Sequence, residues 1–297
     1  MMCIASTVSE EEKAELAQLF ARPVALLGRR VAISIPDTVL EEKASPREKT
    51  AKLGLIARAC AIYGVDVVEI FKDPQGGGEE ASIRRVLEYL ETPQYLRRRL
   101  FPIDEMLKYA GVLPPLRTPS HRAKVPLAAL PKGQVREGVT NQDGTVDIGL
   151  DVPFNLKVSA PSGRRVTVRV TSVSPPSAEL VGRDRVGEYW GYAVESKTIP
   201  EVLADSRFGV KIATSRLGEP LGGSLGKIRQ ALRGGVGVKL VFGSPTRGLF
   251  DMVGKDLGAK VGMVVNLFPE QEVETVRTEE AIFAGLGLIG MISAEKA

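Results

Sequence analysis

An α/β domain interrupted by a small all-β module is the fold class this sequence predicts, and three observations carry it. Strand and helix patterns alternate over residues 9–113. Short extended runs separated by turn residues then fill residues 121–203, with little helical periodicity. The α/β alternation returns after Arg207. A mostly parallel sheet is expected from the two flanking stretches, and a barrel or sandwich from the middle one.

Ser9 and Glu12 have capping-box spacing, in which each side chain satisfies a free backbone donor at a helix start. The run RVAISI (30–35) reads as a buried strand stopped by Pro36. Ser45, Pro46 and Glu48 open a clearer helix whose apolar face is Leu53, Ile56, Ala57, Cys60 and Ala61. Gly64 suits the left-handed position that ends it, and a strand at 65–71 follows. Gly76, Gly77 and Gly78 lead into a helix with Ile83, Val86, Leu87 and Leu90 on one side. In the middle stretch, residues 146–150, 155–158 and 165–170 are strand-like, with turns at 161–163 and 174–177. Beyond it come a strand at 209–213 and a helix at 224–232. A strand at 236–242, a short helix near 249–253, a strand at 261–266 and a last helix from Glu279 complete the series.

The chain has 297 residues, 43% hydrophobic and 26% charged, values typical of a globular protein. No run reaches the roughly 18 apolar residues of a membrane span. The acidic start (Ser9 to Glu12) does not resemble a secretion signal, so a cytoplasmic location is expected. Two cysteines, Cys3 and Cys60, and one histidine, His121, exclude a Cys/His zinc site and a disulfide framework. A net charge of +4 gives a mild bias towards polyanions. The basic residues cluster in YLRRR (95–99) and at Arg164 and Arg165.

Two nucleotide-binding patterns fail on context. GLGLIG (285–290) fits GxGxxG, but it lies inside the last helix instead of following a strand, so these glycines read as helix-packing positions. Gly226 and Lys227 are followed by Ile228, and Leu221 stands where the first P-loop glycine belongs. The stronger signals lie at strand ends. LVF runs into GSPTRG (243–248), and VVN into LFPEQ and then TVRTEEAI (275–282). Open α/β sheets bind ligands beyond the carboxyl ends of their strands. A glycine placed there lets backbone approach a ligand closely.

These motifs also carry a family resemblance. IARACAIYGVD (56–66) resembles the first motif of the SPOUT methyltransferases, and VNLFPEQ with TVRTEEAI resembles the third. ETPQYLRRRLFP (91–102), GVLPPLRTPSH (111–121), YWGYAV (189–194) and ATSR (213–216) are similar to the RNA methyltransferase family within SPOUT that carries an inserted barrel. The resemblance spans about 31–289 and implies an α/β trefoil-knot domain interrupted by an inserted OB-like β-barrel. On that reading residues 1–121 and 207–297 form the knot domain, and 122–206 form the RNA-binding barrel.

The resemblance further implies a homodimer that transfers a methyl group from S-adenosylmethionine to a base nitrogen, uridine N3, of rRNA or tRNA, with no metal. A non-catalytic RNA-binding or assembly protein is the alternative. Carried over by position, cofactor contacts fall on Thr214, Arg216, Gly243, Asn266, Leu267 and Thr275. Arg58 is the candidate for stabilising charge at the acceptor base, and Glu279 for general base. RNA contacts are expected from Arg97, Arg98, Arg164, Arg165, Arg183 and Arg185. Arg277 is expected to hold phosphate or the cofactor carboxylate. Tyr189, Trp190 and Tyr192 are candidates for base stacking, although strand alternation puts some of them in the core.

Overall fold

The computed structural model describes residues 29–158 and 160–295, so the capping box expected at Ser9 and Glu12 lies outside the described residues. Among these, the chain forms two compact units. Pro93–Leu100 and Pro119–Trp190 make one, and the remaining segments, up to Thr92, Phe101–Thr118 and from Gly191, make the other.

The larger unit is built on a six-stranded sheet in which every pairing is parallel. Its strands are β1 (Val31–Pro36), β2 (Val67–Phe71), β8 (Ala193–Lys197), β9 (Val210–Pro220), β10 (Val238–Val241) and β11 (Gly262–Asn266). Their order is β11-β9-β10-β1-β2-β8, so the late strand β10 lies between β1 and the earlier β9. All six residues of β1 are buried, as a central strand covered on both faces requires.

On one face, Ile33, Ile35, Val68, Ile70, Ile212 and Leu240 share a core with helices α1 (Pro46–Ile62), α2 (Glu80–Glu91), α5 (Leu221–Leu232) and α8 (Thr278–Ala294). Helix α1 starts as its sequence dictates: Ser45 Oγ accepts the Glu48 N–H at 3.2 Å, and Glu48 accepts the Ser45 N–H at 3.1 Å. Gly64 follows it at φ +64°. The glycines of α8 serve packing. A Cβ at Gly285 would meet Leu240 at 3.1 Å, and one at Gly287 would meet the Tyr63 hydroxyl at 3.2 Å. The start of α8 differs by one residue from expectation: Arg277 is the N-cap, its backbone N–H donating to Glu280 at 2.9 Å.

The other sheet face packs Phe71, Ala213 and Val241 against α4 (Ile199–Ala204), α6 (Leu249–Val253) and α7 (Leu257–Val261). It also buries charge. Lys239 Nζ lies 2.8 Å from Glu69, both fully buried, and Arg207 reaches Asp205, Glu195 and Glu69 at 2.7, 2.8 and 3.2 Å. Burial alone would raise the Asp205 carboxyl, but Arg207 and Lys239 hold it far below the usual carboxylate range.

In the smaller unit, β3 (Val135–Thr140), β4 (Thr145–Asp147), β5 (Phe154–Leu156), β6 (Arg165–Val173) and β7 (Pro176–Leu180) close into a barrel of order β3-β4-β5-β7-β6. Val146, Ile148, Phe154, Val166, Val168 and Val170 fill it. Helix α3 (Gln94–Leu100) packs beside it, with the Tyr95 ring lying where a Cβ on Gly149 would be, 2.3 Å away.

The middle stretch departs from its sequence reading in three places. β3 has no clean alternation because it buries Arg136 and Glu137. Pro176 begins a strand instead of ending a turn. Residues 193–206, assigned by period to the barrel, supply β8 and α4 to the large sheet. The aromatic candidates are all internal: Tyr189, Trp190 and Tyr192 are buried, and the Tyr192 hydroxyl donates to Leu87 O at 3.0 Å.

Glu137 organises the barrel's polar centre. It accepts from Trp190 Nε1 and Thr167 Oγ1 at 2.5 Å each, and it pairs with Arg165 at 2.6 Å and Arg183 at 3.2 Å. Burial would raise its carboxyl, yet Arg183 and Arg165, with the Thr167 hydroxyl, hold it down at about 2. The group therefore stabilises the fold fully above the ordinary glutamate range, near ~4.3, and that stabilisation is lost as pH falls towards about 2. Glu137→Gln is expected to lower stability by about 3 kcal/mol at neutral pH. Denaturant melts of both proteins across pH check this, and a gap that does not narrow on acidification would show that the charge is not the cause.

Candidate functional site

Parallel sheets leave a row of backbone ends at the carboxyl side of the strands, and here those of β9, β10 and β11 enclose a cavity of about 370 Å³. Its walls come from three segments: 214–217, looped out within β9, 243–248 leaving β10, and 266–276 at the end of β11. Phe242, Phe250, Leu267, Phe268, Val276 and Ala281 supply apolar surface, while Thr214, Ser244, Thr246, Gln271, Thr275 and Thr278 supply hydroxyl and amide groups.

An interruption in one strand pair creates the first wall. β9 pairs with β11 through Ala213↔Val264, then resumes at Glu219↔Val265, so residues 214–218 are extruded between two adjacent residues of β11. Gly218 brings the chain back. A Cβ there would lie 2.7 Å from the Val265 carbonyl carbon and 2.8 Å from that of Val264. The extruded segment is then tied to the third loop: Asn266 Nδ2 donates to Arg216 O at 3.2 Å, and Arg216 Nη1 donates to Glu274 O at 3.1 Å. Asn266 Oδ1 accepts the Phe268 N–H at 3.0 Å.

The second wall is a closed turn. Ser244 N donates to Arg247 O at 2.9 Å, and Ser244 Oγ accepts the Arg247 N–H at 3.0 Å. Asp251 accepts the Gly248 N–H at 2.9 Å. Any Cβ at Gly243 would stand 2.9 Å from Arg247 O, so a side chain there would open the turn itself.

All six positions expected to hold a cofactor, Thr214, Arg216, Gly243, Asn266, Leu267 and Thr275, line this one cavity. Arg58 and Glu279 do not. Arg58, half-buried on α1, donates to Leu116 O at 2.8 Å. Glu279 is buried against α1, with Lys52 Nζ 3.0 Å from its Oε2 in an ion-pair contact without hydrogen-bond alignment. Lys52 also holds Glu42 at 2.5 Å. Arg277 is exposed and outside the lining.

The barrel arginines divide. Arg165 and Arg183 turn to Glu137, whereas Arg164 and Arg185 are exposed. On α3, Arg98 is exposed and Arg97 half-buried. Sequence reasoning missed Ser244, Arg247, Asp251 and Gly218. The strand-end rule reached the loop 243–248, but which of its side chains face inward depends on the turn geometry.

A family model described as putative RNA methyltransferase matches residues 30–289. An uncharacterized protein of Halobacterium salinarum is 36% identical, over 86% of this chain and 97% of its own length. The human 28S rRNA (uridine-N(3))-methyltransferase is 30% identical, over 98% of this chain and 85% of its own, and its mouse counterpart 29%, over 87% and 75%.

Gly218→Ala is expected to push β9 off β11 and cost about 1–3 kcal/mol, the usual range for overpacking. Thermal unfolding measures the loss, and amide exchange of residues 214–218 should accelerate. A variant with wild-type melting and exchange would show that the crossing tolerates a side chain.

Proposed function

The chain belongs to the putative RNA methyltransferase family and is an RNA methyltransferase; from that premise we propose that it uses S-adenosylmethionine to methylate uridine N3 in rRNA or tRNA. The single observation that carries the cofactor reading is the convergence of the three segments on one cavity. Its volume of about 370 Å³ lies in the range of small-ligand sites. The lining suits such a ligand, with aromatic and aliphatic walls for the adenine and hydroxyl and amide groups around its rim.

Thr214, Gly243, Leu267 and Thr275 would hold the cofactor through hydroxyls and backbone. Asn266 and Arg216 contribute mainly by fixing the loops, because their side chains are already bonded within the chain. When bound, the cofactor supplies an electrophilic methyl group. The protein's task is to align the acceptor and to offset the negative charge that develops on the uracil as N3 loses its proton.

Arg58 is assigned that second role, across a homodimer. Its helix presents Leu55 and Ile62 to solvent at 48% and 54% exposure, an apolar flank on either side of the arginine that supports a protomer contact. Glu279 is placed beside Lys52 and away from the cavity, so we read it as fixing the start of α8 instead of acting as general base. The order β11-β9-β10-β1 supports a knotted chain, since β10 enters between strands already laid down. The closed order β3-β4-β5-β7-β6, with β5 and β7 parallel, supports an OB-like barrel.

RNA contact is assigned to Arg98, Arg164 and Arg185, with Arg97 in support. The aromatics are internal, so phosphate attraction outweighs base stacking in this reading and binding should weaken steeply with salt. The relatives named for 28S rRNA favour rRNA over tRNA as substrate. Among the described residues no helix is long and apolar enough to cross a membrane and no acidic, Cys or His cluster suits a metal. A cytoplasmic, metal-independent enzyme is proposed.

Titration calorimetry with S-adenosylhomocysteine tests the cavity: wild type should saturate, and Gly243→Val should lose binding because its turn opens. Arg58→Ala should leave that affinity intact while lowering methyl transfer to RNA by about 10²-fold, the scale of losing one preplaced charge partner. Equal losses in affinity and turnover would remove Arg58 from the acceptor side.

A further inference from the structure

Beside the cavity the loops after β1 and β2 bury a carboxylate that serves no strand and no helix cap. Asp73 is 1% exposed. Its Oδ2 accepts from Thr38 Oγ1 at 2.9 Å and from Arg247 Nη2 at 2.6 Å, and its Oδ1 accepts the Gln75 N–H at 3.0 Å. Arg247 Nη1 adds a bond to Gln75 Oε1 at 3.3 Å. The backbone is shaped to permit this. A Cβ at Gly76 would fall 2.2 Å from the Thr38 methyl and 3.2 Å from Arg247 Nη2, so a side chain there would displace Thr38, which holds Asp73, and crowd the guanidinium. Two of the guanidinium's nitrogens are thus held by the chain, and Arg247 itself lines the cavity.

A planar fork held in this way presents its remaining donors in a set direction, which matches a carboxylate better than a point charge does. The other arginine in the lining, Arg216, is exposed and directed to the Glu274 carbonyl. The methyl donor carries one anionic group, the carboxylate of its amino-acid end. We propose that Arg247 binds that carboxylate and that Asp73, with no access to the cavity, is the positioning residue that aims it. This rests on the methyl-donor reading of the cavity.

Calorimetry with two ligands separates the two ideas. S-adenosylhomocysteine has the amino-acid end, and methylthioadenosine lacks it. Wild type should prefer the first. Arg247→Ala should weaken S-adenosylhomocysteine by about tenfold or more, the scale of a lost charged hydrogen bond, while methylthioadenosine binds as before. Arg247→Lys should retain part of the preference, and Asp73→Asn should reduce it without touching methylthioadenosine. Parallel losses for both ligands in Arg247→Ala and Arg247→Lys, or no loss in either, would overturn the assignment. Wild type that binds neither ligand would instead remove the methyl-donor reading beneath it.

Discussion

Everything at the candidate site depends on one close backbone crossing, where Gly218 passes Val264 and Val265. Parallel strands ordinarily stay in register because each residue's hydrogen bonds commit the next. Here β9 pairs, leaves for five residues and pairs again, while β11 runs on without a gap. The extruded segment does not pair with β11, and its residues 214–217 line the cavity instead. Asn266, the last residue of β11, then fastens it to the following loop. The first wall of the cavity is therefore a product of strand pairing.

Buried charge decides which basic residues are available for function. Arg165 and Arg183 are drawn to Glu137, and Arg207 and Lys239 to the Glu69–Asp205–Glu195 group. A carboxylate inside a protein costs several kcal/mol unless paired, so these cations are bound to structural duty by their partners. Arg98, Arg164 and Arg185 are among the exposed cations that, within the described residues, pair with no buried carboxylate. The same logic makes Trp190 a hydrogen-bond donor to Glu137 rather than a stacking platform.

This is also where reading from sequence stops. Local rules were enough wherever a single element explained its own residues. The Ser45–Glu48 box, the stripe Ile83, Val86, Leu87 and Leu90, and the glycines of α8 stand as their spacing implies. The strand-end rule pointed to the loops after β10 and β11, the family resemblance supplied Thr214, Gly243, Asn266 and Thr275 by position, and all four line the cavity. It could not rank side chains whose meaning lies in a distant partner. Arg58 and Arg165 look alike in sequence, and only the carbonyl of Leu116 and the carboxylate of Glu137 separate them. β3 was hidden for the same reason, since its buried Arg136 and Glu137 break the alternation that marks a strand. Glycines divide likewise: Gly64 announces itself by following a helix, whereas Gly218 is required by a backbone far away in sequence.

Each charged side chain lining the cavity is already engaged by its own chain. Arg247 leans on Asp73, Arg216 on the Glu274 carbonyl, and Asp251 on the Gly248 amide. Groups fixed in advance need no reorganisation when charge shifts during reaction, which is the condition under which electrostatic stabilisation is strongest. It also means that, among the described residues, the lining offers no cation or carboxylate without a partner in its own chain to receive a proton or offset a uracil anion. On the methyltransferase reading those roles fall to groups brought from outside it, the RNA itself, solvent, or a second protomer. Leu55 and Ile62 on α1, either side of Arg58, are among the exposed apolar residues that a second protomer would cover.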